Sequence, residues 1–169
     1  MSSAQSEARE GGNRDFSDLL RAFSEFGARY LIVGAHAVAF YTEPRFTKDL
    51  DVWVDPTPEN ARKVWKALAA FGAPLDKLSI QDLCNPEMVF QIGVAPNRVD
   101  VMMGVGGLAF DAAWKGRRES SYLGVPAHYI GIEDLIRTKR AAGRPQDRLD
   151  VQRLLEKKRL RPKRRRRLM

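Results

Sequence analysis

The sequence has a single cysteine among its 169 residues, Cys84, so no intrachain disulfide can form and a cysteine-rich zinc site is excluded. Cys84 is expected to be a small core hydrophobe. Long apolar runs are also missing, and none approaches the ~20 residues that cross a bilayer. Residues 1–14 are polar and contain glycine, with no apolar signal core, so the chain is expected to be cytoplasmic. Positive charge is scarce where a folded basic face would need it. The net charge of +8 comes from 29 Lys and Arg against 21 Asp and Glu. Nine of the basic residues lie in 157–169, which holds no acid, and setting them aside leaves 20 basic against 21 acidic residues. The excess belongs to a terminal run. Like charges repel and little there can be buried, so 157–169 is expected to be a disordered basic tail and 1–14 a disordered N-terminus. Such a tail either holds RNA, DNA or an acidic partner through counterion release, or is only a solvated extension.

The remainder, 15–156, has the length of one domain with a real core. Asp15 to Phe26 reads as an amphipathic helix, with Phe16, Leu19, Leu20, Phe23 and Phe26 on one stripe. Arg29 to Val33 reads as a buried strand and Ala35 to Tyr41 as a short helix, broken by Pro44. Lys48 to Asp55 alternates. Leu50, Val52 and Val54 are expected in the core, and Asp49, Asp51, Trp53 and Asp55 toward a cleft. Thr57 and Pro58 open a helix that ends at Gly72. Residues 74–84 give no clear pattern. Met88 to Val94 and Arg98 to Met103 predict strands joined by a turn at Ala95-Pro-Asn97. Phe110 to Trp114 predicts a helical turn, and Ser120 to Leu123 with Val125 to Ile130 a hairpin about Gly124. Ile132 to Ala142 and Pro145 to Glu156 predict two final helices.

The chemistry concentrates in Gly34 to Asp51. An apolar strand leads into Gly34, then a short helix, then a loop and a strand carrying Asp49 and Asp51. Residues two apart on a strand point the same way, with Cα atoms about 6.6 Å apart. Clustered acids need charge compensation. Mg2+ suits them, because it takes one or two carboxylates plus substrate phosphates. The glycine turn offers backbone N–H groups to a phosphate at a helix start. Asp100, between Val99 and Val101, is a third acid on a strand. If the two strands are neighbours, the three suit two-metal phosphoryl chemistry, with the third carboxylate as base for an attacking hydroxyl.

Several residues carry open alternatives. Trp53 either stacks a base or packs against a helix. His36 either sits half-buried on its helix or contacts phosphate, and His128 reads as structural or exposed. Arg45, Lys48 and Lys139 are either phosphate contacts or solvated charges. Asp147 and Asp150 would be favourable acids in a first helical turn. Gly104, Gly106 and Gly107 lack the Lys-Ser/Thr of a nucleotide P-loop and read as a mobile loop.

These motifs, in this order, resemble the polymerase-beta-like nucleotidyltransferase superfamily. The matching pieces are Leu31-Ile-Val-Gly-Ala35, Asp49-Leu-Asp51 and Val99-Asp-Val101. Arg45-x-Thr47-x-Asp49-x-Asp51, Glu133-Asp-Leu-Ile136, Lys139, Gly143-Arg-Pro145, Asp147 and Asp150 resemble the small bacterial branch that includes toxins of type IV toxin–antitoxin systems. The resemblance implies an α+β nucleotidyltransferase fold, a mixed β-sheet with helices packed on it. It implies that Asp49 and Asp51 hold Mg2+ and an NTP, and that Asp100 completes the metal site and activates the acceptor hydroxyl. Gly34 and Ala35 would approach the phosphates with Arg45, Thr47, Lys48 and Lys139. RNA, with tRNA favoured, is the implied acceptor, and a cognate antitoxin the implied partner. Ala35 stands where the pattern has a second Gly or Ser. That departure and the short length motivate one alternative, a non-catalytic nucleotide- or RNA-binding module with this fold. Another keeps the chemistry with a small-molecule or protein hydroxyl as acceptor, as in antibiotic-modifying members of the superfamily.

Overall fold

The computed structural model describes residues 13–43, 49–94 and 97–160. Residues 1–12, 44–48 (with Arg45, Thr47 and Lys48), 95–96 of the expected turn and 161–169 lie outside the described residues.

Helix α1 (Arg14–Glu25) starts where the Asn13 side chain accepts the N–H groups of Asp15 and Phe16. Its buried stripe is Phe16, Leu19, Leu20 and Phe23. Strand β1 (Tyr30–Val33) is buried along its whole length and passes directly into α2 (Gly34–Tyr41). Strand β2 (Leu50–Val54) follows, then α3 (Pro58–Phe71). Thr57 accepts the Asn60 N–H at the start of α3, and Gly72 closes the helix in the left-handed region at φ +94. Residues 74–84 form turns and a single 3-10 turn, Asp82–Cys84. Strands β3 (Val89–Ile92) and β4 (Val99–Met102) precede the short α4 (Phe110–Lys115). The hairpin β5 (Arg118–Tyr122) and β6 (Val125–Tyr129) leads to α5 (Ile132–Ala142) and α6 (Pro145–Leu160).

The six strands form one mixed sheet in the order β3-β4-β2-β1-β6-β5. The pairs β1/β6 and β2/β4 are parallel, and β1/β2, β3/β4 and β5/β6 are antiparallel. Helix α1 packs on α3 and β6, while α2 touches β1, β2, α5 and α6. This is the α+β arrangement expected from the sequence.

A buried asparagine ties the loop before β1 to the end of β2. Asn60 Oδ1 accepts the Arg29 N–H at 2.7 Å, and its Nδ2 donates to the carbonyls of Arg29 (3.0 Å) and Asp55 (2.9 Å).

Four expectations are corrected. Asn13 and Arg14, expected in a disordered N-terminus, cap and open α1, and Phe26, expected on its buried stripe, is exposed at its C-terminal end. Trp53 does not face an open cleft; it is buried, its ring meeting Phe110 of α4 edge-on at 5.2 Å, while Asp55 is largely buried at the edge of a separate pocket with Arg29, Asn60 and Asp111. Strand β2 lies inside the sheet with a helix over this end, so both of its faces are covered except at Asp51. The helix expected to end at 156 continues through 157–160, and Lys158 pairs with Glu133 at 2.9 Å. Four residues of the expected tail therefore belong to α6.

Candidate active site

The site is built where α2 begins over the β2/β4 pair. Apolar neighbours fix the register: Leu50 pairs with Val99 and Val52 with Val101, all four buried, so Asp51 is placed abreast of Asp100. Across the antiparallel partner, Val33 lies beside Asp51, and the next residue is Gly34. Gly34 has φ +66, and a Cβ there would collide with the Asp51 carboxylate. Glycine is thus required both by the backbone and by the acid. No side chain caps α2, whose N-cap is Val33, so its first N–H groups are of the kind that binds anions.

Asp49 lies just before β2. Arg98, two residues before Asp100 on the neighbouring strand, spans the two acids. Its Nη2 donates to Asp49 Oδ2 at 3.1 Å, and its Nε lies 3.4 Å from Asp100 Oδ1. That second contact is an ion pair without a hydrogen bond. Asp49 Oδ1, Asp100 Oδ1 and Arg98 Nε are all buried atoms with no hydrogen-bond partner among the described residues. Burial, reinforced by the charges of Asp100 and Asp49, pushes the Asp51 carboxyl up to about 6, against the opposing pull of Lys139 and Arg98.

The acids do not converge as closely as the sequence suggested. Among the described residues, no three His, Cys, Asp or Glu side chains form a group that could hold a metal ion alone. The Arg98 guanidinium reaches both Asp49 and Asp100. The residues still fit Mg2+, which needs one or two carboxylates and takes its other ligands from phosphate and water. The two unpartnered carboxylate oxygens and the raised Asp51 carboxyl are what such an ion relieves.

A second charged group stands beside the first. Lys139 of α5 is largely buried, with Nζ 3.3 Å from Asp147 Oδ1 and 3.2 Å from Asp150 Oδ2. Arg144 forks onto Asp147 through Nε (2.7 Å) and Nη2 (3.3 Å), and its backbone N–H donates to the same carboxylate. The Arg144 guanidinium, with Lys139 behind it, holds the Asp147 carboxyl down at about 2. Asp147 and Asp150 are therefore not simply exposed acids of a first turn. Lys139 is not a free surface lysine, though its charge reaches Asp51.

The other sequence candidates divide. Ala35 sits in the first turn of α2, next to Gly34. His36 is buried, edge-on to Phe16 at 5.4 Å and to Tyr122 at 6.0 Å. His128 is half-buried beside Trp114 and Tyr30, and burial lowers its pKa. Gly106 and Gly107 lie in a turn of left-handed residues. Sequence reasoning missed Arg98 as the cation between two acids, although its placement two residues from Asp100 was the signal. It also missed the fork from Arg144 to Asp147, whose signal was the three-residue spacing.

No protein-family model matches the chain, and no curated protein does either. Solved structures do. The lincosamide antibiotic adenylyltransferase LnuA, in its lincomycin-bound form, matches with a TM-score of 0.56 at 15% identity, over 85% of this chain and 96% of that one. TM1012 of Thermotoga maritima, described as a candidate nucleotidyltransferase, matches with a TM-score of 0.53 at 14% identity, over 85% and 91% of the two chains. At these identities the likeness concerns the fold, and the chain has the nucleotidyltransferase fold.

Proposed function

We propose that this protein is a Mg2+-dependent nucleotidyltransferase that moves a nucleoside monophosphate from an NTP to a hydroxyl acceptor. The observation that carries the reading is the placement of Asp51 abreast of Asp100, against the glycine that opens α2. The N–H groups following Gly34 and Ala35 receive the outer phosphates. Asp49 and Asp51, with Asp100, would hold the metal, which would withdraw charge from the phosphate oxygens when bound. Asp100 takes the proton of the acceptor hydroxyl. The acceptor oxygen forms its bond to the α-phosphorus, the bond from that phosphorus to the bridging oxygen breaks, and pyrophosphate leaves. Lys139, fixed by Asp147 and Asp150, contributes positive charge beside Asp51. Arg45, Thr47 and Lys48 complete the phosphate contacts in this reading.

The acceptor reading places RNA first, tRNA above all. Its support is the basic run 157–169 and the motif resemblance to the toxin branch. The toxin role and a cognate antitoxin rest on that resemblance alone. A small-molecule hydroxyl is the competing acceptor, and LnuA, an adenylyltransferase of this fold crystallised with lincomycin, motivates it. A second reading, a nucleotide-binding module without catalysis, draws on Ala35 and on Arg98 lying against the acids. Incubation with labelled NTPs and Mg2+, with total tRNA in one series and a panel of small hydroxyl compounds in another, separates the three. Label in RNA supports the first reading, and label in a small molecule replaces its acceptor. Mg2+-dependent NTP binding with no transfer to either series favours the module.

A further inference from the structure

We propose that Arg98 is the resting counter-cation of the acid face, and that it competes with the divalent metal for Asp49 and Asp100. It thereby sets how tightly the site takes metal. The inference rests on the functional reading above and deepens it.

The backbone of Arg98 is fixed, because its carbonyl accepts the Leu50 N–H at 3.0 Å as β4 joins β2. The guanidinium is held far less well. Of its five N–H donors, one makes the hydrogen bond to Asp49, while Nε faces Asp100 at 3.4 Å without making one. The side chain is 37% exposed and Asp100 only 13%. The arginine therefore has solvent to swing into, and the acid does not. The carboxylate oxygens that face Arg98, or are left unpartnered beside it, belong to the two acids that a metal would need. A single delocalised charge compensates them incompletely, and a divalent ion compensates them better. Metal entry and arginine departure are then one exchange. Without the arginine, Asp49 and Asp100 would face each other and Asp51 with only the more distant charge of Lys139 opposing them. Arg98 is in this sense a positioning residue.

The test is Mn2+ alone, with no nucleotide, titrated into the full chain and followed by calorimetry or by the Mn2+ electron-spin signal. Removing one unit charge from within ion-pair distance is expected to tighten Mn2+ binding about tenfold in R98Q. R98K, which keeps the charge, is expected to stay within about threefold of wild type. Metal-free R98Q should melt below wild type, and saturating Mn2+ should raise its melting temperature by more than it raises wild type's. In the D49N/R98Q double variant the tightening should disappear. An arginine that only braces the strand would lower the melting temperature and leave Mn2+ affinity unchanged. That outcome, or weaker binding in R98Q, overturns the inference while leaving the metal reading intact. If neither wild type nor R98Q binds Mn2+ alone or with a non-hydrolysable NTP analogue present, the metal reading falls and this inference falls with it.

Discussion

The carboxylate of Asp51 occupies the space that a Cβ on Gly34 would need. Because Gly34 also sits at φ +66, Gly34→Ala must strain the backbone and displace the acid together. The expected cost is about 1–3 kcal/mol of stability by chemical denaturation. Activity should fall further than stability accounts for, since the acid moves. A variant with normal NTP turnover would show that the close approach is incidental.

Asp147 gives a pH signature. Its folded carboxyl is held down at about 2, below the ordinary value of 3.8, first by Arg144 and then by Lys139. A depressed carboxyl stabilises the fold above its unfolded value, and the contribution is lost as pH falls from near 4 through about 2. The difference in unfolding free energy between wild type and Asp147→Asn should therefore be largest near pH 7 and shrink across that window. The Asp147 side chain is buried but its main partner, Arg144, is largely exposed, so the difference at pH 7 is expected to be about 1–2 kcal/mol. A pH-independent difference would contradict the ion-pair account.

Asn60 tests the packing behind the site. Asn60→Ala strips the Arg29 N–H and the Asp55 carbonyl of their partner, while the Arg29 carbonyl keeps the Asp55 N–H. Urea unfolding should show a loss of about 2–3 kcal/mol. A loss below half a kilocalorie, roughly the scatter of surface substitutions, would mean that solvent replaces these bonds.

Trp53 separates packing from base stacking. Its ring is buried against Phe110, and its Nε1 has no hydrogen-bond partner among the described residues. Trp53→Phe should cost less than about 1.5 kcal/mol and leave KM for the nucleotide unchanged. Trp53→Ala should cost about 3–5 kcal/mol. A raised KM in the phenylalanine variant would return this ring to the nucleotide site.

Local patterns made most of the fold legible. Thr57-Pro58 and Gly72 bracket α3 as capping chemistry requires, and the valines around Asp100 mark β4. The alternation in β2 misled at Trp53, because periodicity tells which side chains share a face and not what covers that face. The covering residue, Phe110, is far off in sequence. The acid spacing was likewise readable, but the position of Arg98 between strands follows from the β2/β4 pairing, a long-range register that one sequence does not display. The same holds for Lys139, whose buried partners Asp147 and Asp150 come from the next helix.

The central claim is that the Asp51–Asp100 face carries nucleotidyl transfer. The most direct test is pyrophosphate release from each NTP with Mg2+ and total tRNA or a small hydroxyl acceptor, in wild type, Asp51→Asn and Asp100→Asn. The account predicts acceptor-dependent release in wild type, at least about 100-fold less in Asp100→Asn by the size of general-base effects and in Asp51→Asn by loss of metal charge stabilisation, and folded variants by circular dichroism. Equal release from wild type and Asp100→Asn would contradict it.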